Sequence, residues 1–281
     1  MSVQKLRIKP RSVHIGAFIE GVDLSQPLDD SVIAEIRQAL LDYYVIFFRD
    51  QSITPEQHLA IAARFGEIEK PHPIFGGDET DARVSVIESK GRPGDSEHYW
   101  HTDVTYQQAP VMGSILVARK IPDIGGDTLF ANMYAAYEAL SEPMQRFLCG
   151  LTASHSFERG WRKTLMLKEG GDARLLEFNR HFPLMSHPVV RSHPETGRKS
   201  LFVNEYYTSH IDGLTEVESN GLLQLLIKHS QIPEFQVRHV WKTNDIAFWD
   251  NRCTQHYASQ DYGAAHRLMH RVTIVGDRPY L

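Results

Sequence analysis

Apolar positions follow two different spacings along the chain, and each spacing predicts one kind of element. Three segments carry apolar residues three or four positions apart, which is typical of amphipathic helices. Two of them begin with a capping box, at residues 54–57 and 215–218, and the third spans residues 29–44. One or two further short helices are predicted between Asn132 and Gly150.

Other segments are short, rich in β-branched and aromatic residues, and separated by turn-forming residues, which is the pattern of β-strands. The helical segments lie mostly outside this series, so a regular strand and helix alternation is disfavoured. We therefore predict a mainly β fold with flanking helices, whose core is a double-stranded β-helix, or jelly roll. The nine predicted strands are VSVIE, WHTDVTY, GSILVAR, DTLFA, HPVVRSH, KSLFVNE, FQVRHVW, IAFWD and LMHRVTIVG.

The chain has 281 residues and shows no internal repeat, no low-complexity tract and no clear domain boundary. We predict a single domain over residues 1–281. Two stretches, residues 70–82 and 158–183, lack a helix or strand pattern. They are predicted to be active-site loops, because long loops in compact domains usually act as lids or binding segments.

Composition narrows the possible partners and the compartment. The formal net charge is −5 and no long basic run is present, so a nucleic-acid partner is disfavoured. The longest apolar stretch covers residues 43–48, far short of the roughly 20 residues that span a bilayer. The N-terminal residues lack the apolar segment of a secretory signal, and two cysteines cannot build a disulfide framework. We expect a cytoplasmic protein without membrane attachment.

A candidate metal site begins with His101 and Asp103, which lie two residues apart in a predicted strand. Side chains at positions i and i+2 of a strand share one face, so this imidazole and carboxylate are expected in one pocket. His256, just after the strand IAFWD, supplies a third candidate. Two histidines and one carboxylate favour the facial triad of non-haem Fe(II) oxygenases. A zinc hydrolase could use the same set, and a non-catalytic jelly-roll binding protein is a third possibility.

Arg267 and Arg271 lie four positions apart in the last predicted strand and should face the same side, with Cα atoms roughly 13 Å apart. An arginine inside a barrel is costly unless it meets an anion, and its planar guanidinium binds carboxylates and sulfonates well. The pair therefore indicates a pocket for two anions, one a cosubstrate and the other the substrate. A zinc hydrolase would have no use for Arg267, so the pair favours the oxygenase.

Several longer motifs resemble the taurine dioxygenase group, the TauD/TfdA family of iron(II)- and 2-oxoglutarate-dependent dioxygenases. They are HxD at residues 101–103, GGDT at 125–128 and WDNRxTQHYA at 249–258, followed by the two arginines. The resemblance extends over nearly the whole chain and includes GAFIEGVDLSQPL, VIFFRDQSITPEQ and HPVVRSHPETGRKSLFVNE. It implies a jelly-roll enzyme that binds Fe(II) and consumes 2-oxoglutarate and O2 as cosubstrates.

The resemblance also implies roles for individual residues. His101, Asp103 and His256 match the iron ligands of the family. Thr128 and Arg267 match the residues that hold the far carboxylate of 2-oxoglutarate. The implied substrate contacts are His72, Phe75, Glu97, Val104, Trp161, Tyr207 and Arg271.

The reaction implied by the resemblance is hydroxylation of the carbon next to a sulfonate, which gives an aldehyde and sulfite together with succinate and CO2. Asp103 supports hydroxylation, since related halogenases lack this carboxylate. Phe75 and Glu97 stand where the taurine enzymes have Tyr and Asn. The small anionic substrate is therefore taurine, with its ammonium paired to Glu97, or a larger sulfonate, an alkyl sulfate ester or an aryloxy carboxylate. The resemblance further implies a homodimer or homotetramer.

Overall fold

The computed structural model describes residues 6–72, 74–90 and 99–281, and within these ranges the chain is mainly β-sheet with several helices. The strands are β1 (Arg7–Pro10), β2 (Ala17–Glu20), β3 (Val45–Phe48), β4 (Gly76–Gly77), β5 (Ser85–Ser89), β6 (Gly113–Lys120), β7 (Thr128–Asn132), β8 (Thr152–His155), β9 (Met185–Pro188), β10 (Val190–Ser192), β11 (Lys199–Leu201), β12 (Thr208–Ile211), β13 (Gln236–His239), β14 (Ile246–Asp250), β15 (Thr254–Ala258) and β16 (Arg267–Ile274). The helices are α1 (Asp30–Tyr43), α2 (Pro55–Ala63), α3 (Met133–Glu138), α4 (Glu142–Leu148), α5 (Phe157–Met166), α6 (Gly171–His181) and α7 (Glu216–Ser230), with a 3-10 turn at Pro233–Phe235.

The largest sheet has eight strands in the order β1-β2-β3-β14-β6-β16-β5-β4, antiparallel except for the β2 and β3 pair. A three-stranded antiparallel sheet, β13-β7-β15, packs against it. Two smaller sheets, β12-β8-β9 and β10-β11, complete the described strands. The arrangement agrees with the predicted jelly-roll core, because two sheets enclose one layer of side chains.

Strand alternation divides the side chains of the large sheet between two cores. In β14, Ile246 and Phe248 pack with the apolar faces of α1 and α2. The alternate residues Ala247 and Trp249 pack in the core between the two sheets. The side chains that pack on the helices form the outer core. Those between the two sheets form the inner core, which extends to Trp249 near the carboxyl end of β14.

The last strand brings both candidate anion-binding arginines to the inner face. Along β16, Arg267 and Arg271 alternate with the outer residues and share their side with Met269, which belongs to the inner core. Both guanidinium groups are buried. His270 lies on the opposite side, where its Nδ1 is 3.4 Å from Arg119 Nε. The expected separation of faces along this strand is confirmed.

The helix starts follow the capping signals in the sequence. The Thr54 hydroxyl accepts from the Gln57 backbone at 3.2 Å, and the Gln57 side chain accepts from the Thr54 backbone at 2.8 Å. Thr215 and Glu218 form the same box at the start of α7. Two short helices, α3 and α4, occupy the predicted interval before Gly150. In the described part of the chain no helix has the length and apolar character that crossing a bilayer requires.

The prediction of a loop over residues 158–183 is wrong, because α5 and α6 occupy most of it. Phe157, Trp161 and Leu165 recur every four residues and form the buried face of α5. Ser156 caps this helix through its side chain. The other predicted loop, residues 70–82, is irregular except for β4, and its Pro73 lies outside the described residues.

The predicted strand WHTDVTY is also wrong in its second half. His101 forms an isolated β-bridge with His256, and the chain then turns through residues 103–109. Val104 has φ 48°, in the left-handed region that a β-branched residue rarely adopts. Such a conformation costs on the order of 1–3 kcal/mol and persists only where surrounding contacts impose it.

Candidate active site

Two antiparallel segments bring the three candidate metal ligands together. His101 and His256 exchange backbone hydrogen bonds of 3.0 and 2.8 Å, and their ring centroids are 4.1 Å apart. Asp103 follows in the turn, and its Oδ1 is 3.7 Å from His101 Nε2 and 3.9 Å from His256 Nε2. One ligand atom from each residue lies within 4.8 Å of the others, and all three residues are buried. The three residues therefore offer two nitrogen donors and one oxygen donor to a single metal ion.

The hydrogen bonds and charges of the two imidazoles fit a divalent metal. His101 Nδ1 donates to the Tyr99 carbonyl at 2.8 Å, and in the tautomer that this bond selects the lone pair is on Nε2. That Nε2 atom is buried and has no hydrogen-bond partner among the described residues. Burial, followed by the neighbouring His101, lowers the pKa of His256 to about 3, so this imidazole is uncharged at neutral pH. Neutral imidazole is the form that binds metals.

Asp103 is ionised despite its burial. Burial alone opposes ionisation, but the Arg271 guanidinium lowers the pKa of Asp103 below its ordinary value. Arg271 Nη1 donates to Oδ1 at 3.1 Å, and the Ser114 hydroxyl donates to Oδ2 at 3.0 Å. These two bonds fix the orientation of an anionic ligand.

Asn251 holds the backbone of Asp103, a role that the sequence did not reveal. Its Oδ1 accepts the Asp103 N–H at 2.9 Å, and its Nδ2 donates to the Asp103 carbonyl at 3.1 Å and to the Val111 carbonyl at 3.0 Å. Asn251 lies between β14 and β15, the strand that carries His256. The same amide thus ties one candidate ligand to the segment that supplies another, and its sequence signal was its place in the WDNR motif.

The turn after Asp103 is also hydrogen-bonded to the segment that carries Tyr207. His187 Nε2 donates to the carbonyls of Thr105 and Gln107, both at 3.0 Å. Asn204 Nδ2 donates to the Thr105 hydroxyl at 3.2 Å, while its Oδ1 accepts the Tyr207 N–H at 2.8 Å. The turn after Asp103 and the segment with Tyr207 therefore form one hydrogen-bonded unit.

The two residues implied in cosubstrate binding lie together on the inner face. Thr128 and Arg267 are buried and line one cavity beside the candidate ligands. Arg267 also lines an adjoining cleft of about 630 Å³. Its Nε donates to the Gly126 carbonyl at 3.2 Å, and Trp241 Nε1 donates to Thr128 Oγ1 at 3.0 Å. Gly126 has φ 73° and a Cβ there would lie 3.2 Å from Arg267 Cδ, so this close approach favours glycine.

Three of the implied substrate residues surround one cavity of about 250 Å³. His72, Val104 and Arg271 line it together with the carboxylate of Asp103. His72 Nδ1 accepts the Ile74 N–H at 3.2 Å, so the proton of the neutral ring is on Nε2. Burial and then Arg271 lower the pKa of His72 to about 3. The cavity can therefore offer an anion one guanidinium and one neutral N–H donor.

The aromatic ring of Phe75 borders the Arg271 guanidinium. The Phe75 ring centre is 5.0 Å from Arg271 Cζ, within the range of a cation–π contact. The Phe75 ring packs against Trp161 at a centroid distance of 5.6 Å. The Trp161 indole N–H is buried and has no partner among the described residues. This side of the site is thus built from ring packing.

The rings of Phe75 and Trp161 form an aromatic wall, and two tyrosines extend this wall to the candidate ligands. The implied contact Tyr207 has its ring 6.3 Å from that of His101, but the neighbouring Tyr206 is closer, at 5.5 Å. Tyr206 also packs against Trp161 at 5.9 Å. Both tyrosines therefore belong to this wall, while Glu97, the remaining implied substrate contact, lies outside the described residues.

A second group of potential metal donors has another explanation. Ligand atoms of His193, Asp250 and Cys253 lie within 4.8 Å of one another. Arg252 already donates to both oxygens of Asp250, at 2.9 and 2.7 Å, and His193 Nε2 donates at 3.0 Å. Burial raises the pKa of the Cys253 thiol well above its ordinary value. We interpret the group as a buried ion network that supports the chain just before Asn251.

Comparison with known families identifies the class of enzyme. The family described as taurine catabolism dioxygenase TauD, TfdA family matches residues 7–273. The chain belongs to this family. Dioxygenases of this kind use Fe(II), 2-oxoglutarate and O2, so the cofactors expected from the resemblance are confirmed.

Relatives of this dioxygenase match it over nearly its whole length. An alkylsulfatase from Acinetobacter baylyi is 37% identical over 98% of this chain and 86% of its own. An α-ketoglutarate-dependent sulfate ester dioxygenase from Pseudomonas putida is 36% identical over 98% and 91%. The crystal structure of a taurine dioxygenase from Burkholderia xenovorans has a TM-score of 0.84 and 41% identity, covering 98% of this chain and 90% of that one. The fold class predicted from the sequence is confirmed.

Proposed function

We propose that this dioxygenase hydroxylates the carbon that carries a sulfate ester or sulfonate group at the end of an apolar chain. The position of Arg271 carries the proposal. Its Nη1 is 3.1 Å from the Asp103 carboxylate, and its Cζ is 5.0 Å from the centre of the Phe75 ring. An anion bound by this guanidinium brings its adjacent carbon next to the proposed metal ligands, with aromatic surface alongside.

The metal and cosubstrate roles are assigned by the donors that each cavity offers. We propose His101, Asp103 and His256 as the Fe(II) ligands, supported by the buried Nε2 atom that lacks a partner among the described residues. We propose Thr128 and Arg267 as donors to the far carboxylate of 2-oxoglutarate, supported by the cavity that they share. A hydroxyl and a guanidinium are both suited to a carboxylate.

The apolar tail of the substrate is inferred from the side chains around the anion site. Phe75 presents its ring beside Arg271, Trp161 packs on Phe75 and Tyr206 packs on Trp161, and such connected aromatic surfaces favour alkyl or aryl groups. Two relatives that are similar over 98% of this chain are named for alkyl sulfate or sulfate ester chemistry. Both observations support an alkyl sulfate ester or a long alkylsulfonate over the small polar taurine.

In the proposed mechanism, Fe(II), 2-oxoglutarate and O2 together supply the oxidant that converts one C–H bond of the substrate into C–OH. Arg271 and the His72 Nε2–H bind the anion and so select the adjacent carbon. Val104 forms the apolar side of the cavity next to Asp103. The hydroxylated carbon then breaks its bond to the sulfate oxygen, forming an aldehyde and hydrogen sulfate. A sulfonate breaks its C–S bond instead and gives an aldehyde and hydrogen sulfite.

A taurine-like substrate is the second candidate, and Glu69 is the observation that favours it. This half-buried carboxyl group lines the same cavity as Arg271. Burial raises the pKa of Glu69, while the backbone N–H and the charge of Lys70 lower it less. A carboxylate across the cavity from a guanidinium could pair with the ammonium of an aminosulfonate, the role that the resemblance suggested for Glu97.

The test is a comparison of substrates with the Fe(II)-loaded enzyme in air. Hexyl sulfate, hexanesulfonate, taurine and 2,4-dichlorophenoxyacetate are supplied with 2-oxoglutarate, and succinate, sulfate and sulfite are measured. We expect hexyl sulfate or hexanesulfonate to give succinate with equimolar sulfate or sulfite, and taurine to have kcat/KM about tenfold lower. Turnover with taurine alone would contradict the apolar tail, and turnover with dichlorophenoxyacetate alone would contradict the sulfur oxyanion.

Matched variants separate the anion site from the second candidate. Arg271→Gln should lower kcat/KM for the sulfur substrates by about 10- to 100-fold, because a charge-assisted hydrogen bond is lost. Arg278→Gln removes an exposed arginine and should leave kcat/KM unchanged. Glu69→Gln should impair taurine selectively if an ammonium binds there, and should leave hexyl sulfate turnover nearly unchanged.

A further inference from the structure

We infer that Trp241 is a positioning residue for 2-oxoglutarate, because its indole N–H sets the Thr128 hydroxyl to donate to the far carboxylate. Trp241 is not among the residues singled out by the sequence motifs. The inference rests on the proposed function, in which Thr128 and Arg267 hold that carboxylate.

The direction of the hydrogen bond follows from the chemistry of the two groups. An indole N–H can only donate, whereas a hydroxyl has one proton and two acceptor positions. In the 3.0 Å contact, Trp241 Nε1 therefore donates and Thr128 Oγ1 accepts. Among the described residues, none accepts the proton of the Thr128 hydroxyl. A carboxylate, which is acceptor-only when ionised, is the complementary ligand.

The fold holds the indole in place. Thr128 starts β7 and pairs with His239 of β13, and Trp241 follows two residues after His239. The His239 and Trp241 rings meet edge to face at 4.5 Å. Trp241 and Thr128 are both buried, so water does not compete for their hydrogen bond. The donor is thus fixed before any ligand arrives.

The second carboxylate donor is preset in a comparable way. Arg267 Nε donates to the Gly126 carbonyl at 3.2 Å, two residues before Thr128. The neighbouring Asp127 is held by Arg238, with Nε at 2.6 Å from Oδ2. Both donors are oriented by groups that need not touch the ligand, so their side chains lose less conformational freedom when 2-oxoglutarate binds. Trp241 supplies that orientation for the hydroxyl.

The decisive experiment is an anaerobic titration of the Fe(II)-loaded protein with 2-oxoglutarate, followed by its visible charge-transfer band. Wild type, Trp241→Phe, Thr128→Val and the double variant are compared. Trp241→Phe should raise the Kd by about three- to tenfold, the effect of one hydrogen bond. In the Thr128→Val background the same change should alter the Kd by less than about twofold, because the hydroxyl is absent.

The outcomes separate this inference from the proposed function. If wild type gives no 2-oxoglutarate-dependent band, the proposed function fails. If wild type binds and Trp241→Phe binds equally well, the positioning role alone is overturned. An equal factor in both backgrounds would also overturn it, since that result indicates a general packing effect.

Two further measurements exclude a merely structural role. Tyr137→Phe removes another contact of a buried side chain, the one between its hydroxyl and Cys149 Sγ at 3.4 Å, outside the cosubstrate cavity, and should leave the Kd for 2-oxoglutarate unchanged. In turnover, Trp241→Phe should raise KM for 2-oxoglutarate while kcat at saturating 2-oxoglutarate stays near the wild-type value. A fall in kcat without a change in this KM contradicts the inference.

A measurement on Thr128→Val keeps the inference testable if Trp241→Phe does not fold. The protein has four tryptophans, so the Zn(II)-loaded chain labelled with nitrogen-15 gives four indole N–H resonances to assign. Thr128→Val should shift the Trp241 resonance upfield, because its hydrogen bond is lost. An unmoved Trp241 resonance would show that the contact is absent and would overturn the inference.

Discussion

The proposed cosubstrate side of the candidate site and its proposed substrate side are held by different kinds of contact. On the cosubstrate side, Thr128 and Arg267 each make a directed hydrogen bond to a neighbouring group, at 3.0 and 3.2 Å. On the substrate side, Phe75 and Trp161 are placed by ring packing, with centroids 5.6 Å apart. The Trp161 N–H has no partner in the part of the chain that the structure describes.

This difference separates the part of the site whose geometry must stay constant from the part whose side chains can vary between relatives. A hydrogen bond tolerates little change in distance or angle. The side proposed to bind 2-oxoglutarate, which all these dioxygenases use, therefore allows few other side chains. Ring packing depends on shape and accepts other apolar side chains of similar volume at modest cost. The arrangement explains how relatives named for sulfate ester and taurine chemistry can match the same chain over 98% of its length.

The strongest test of the comparison removes a directed contact at a proposed metal ligand, Asp103. Asn251→Ala deletes the bonds to the Asp103 backbone at 2.9 and 3.1 Å. We expect Mn(II) affinity to fall by about 10- to 100-fold, the usual cost of losing a partner of a metal ligand. Isothermal titration with Mn(II) measures it. Asn179→Ala, which removes a bond to Glu158 between α5 and α6, is the control and should leave affinity unchanged; equal losses in both variants would contradict the comparison.

Acid sensitivity gives the next largest effect. Burial lowers the pKa of His187 to about 4, against an ordinary value near 6.5 in the unfolded chain. As the pH falls, His187 is therefore protonated in the unfolded state before it is protonated in the folded state. The free energy of unfolding is unaffected by this residue above pH 6.5 and decreases as the pH falls from there towards 4. His187→Gln should reduce this loss by up to about 1.4 kcal/mol per pH unit, measured by urea unfolding between pH 7 and 5. The exposed His181→Gln should not; an unchanged slope in His187→Gln would show that His187 does not titrate in this range.

The smallest effect is expected on the aromatic side. Phe75→Leu removes the ring near the Arg271 guanidinium, and kcat/KM for hexyl sulfate should fall by about two- to fivefold, as for one exposed cation–π contact. The Kd for 2-oxoglutarate should not change. Phe75→Tyr retains the ring and should behave like wild type with hexyl sulfate. A larger effect on 2-oxoglutarate than on hexyl sulfate would mean that the two sides are not independent.

The sequence predicted well those features that depend on local periodicity. Strand alternation placed Arg267 and Arg271 on one face, and capping boxes located the starts of α2 and α7. It failed for α5, whose apolar residues do recur every four positions. Charged residues and Gly160 between them concealed the helical pattern, since a narrow apolar stripe resembles a polar loop in composition.

Other features could not be predicted because they depend on contacts between distant segments. Val104 is β-branched and favours a strand, yet it takes φ 48° because the turn after Asp103 is held by His187 and Asn251. The hydrogen bonds of Asn251 with Asp103 and of Trp241 with Thr128 likewise exist only once β14 and β13 are paired in their sheets. Local propensity contains no information about such partners.

The hydrogen bond between Asp103 and Asn251 also has a consequence for biosynthesis. The two residues are separated by 148 positions, and His101 meets His256 across a comparable interval. During translation His101 and Asp103, two of the three proposed ligands, leave the ribosome long before His256 is made. The complete set of three donors therefore forms only after residue 256 has been added and the two segments have paired. An unfinished chain offers a metal ion only two of these donors, so tight binding of iron is expected of the folded protein.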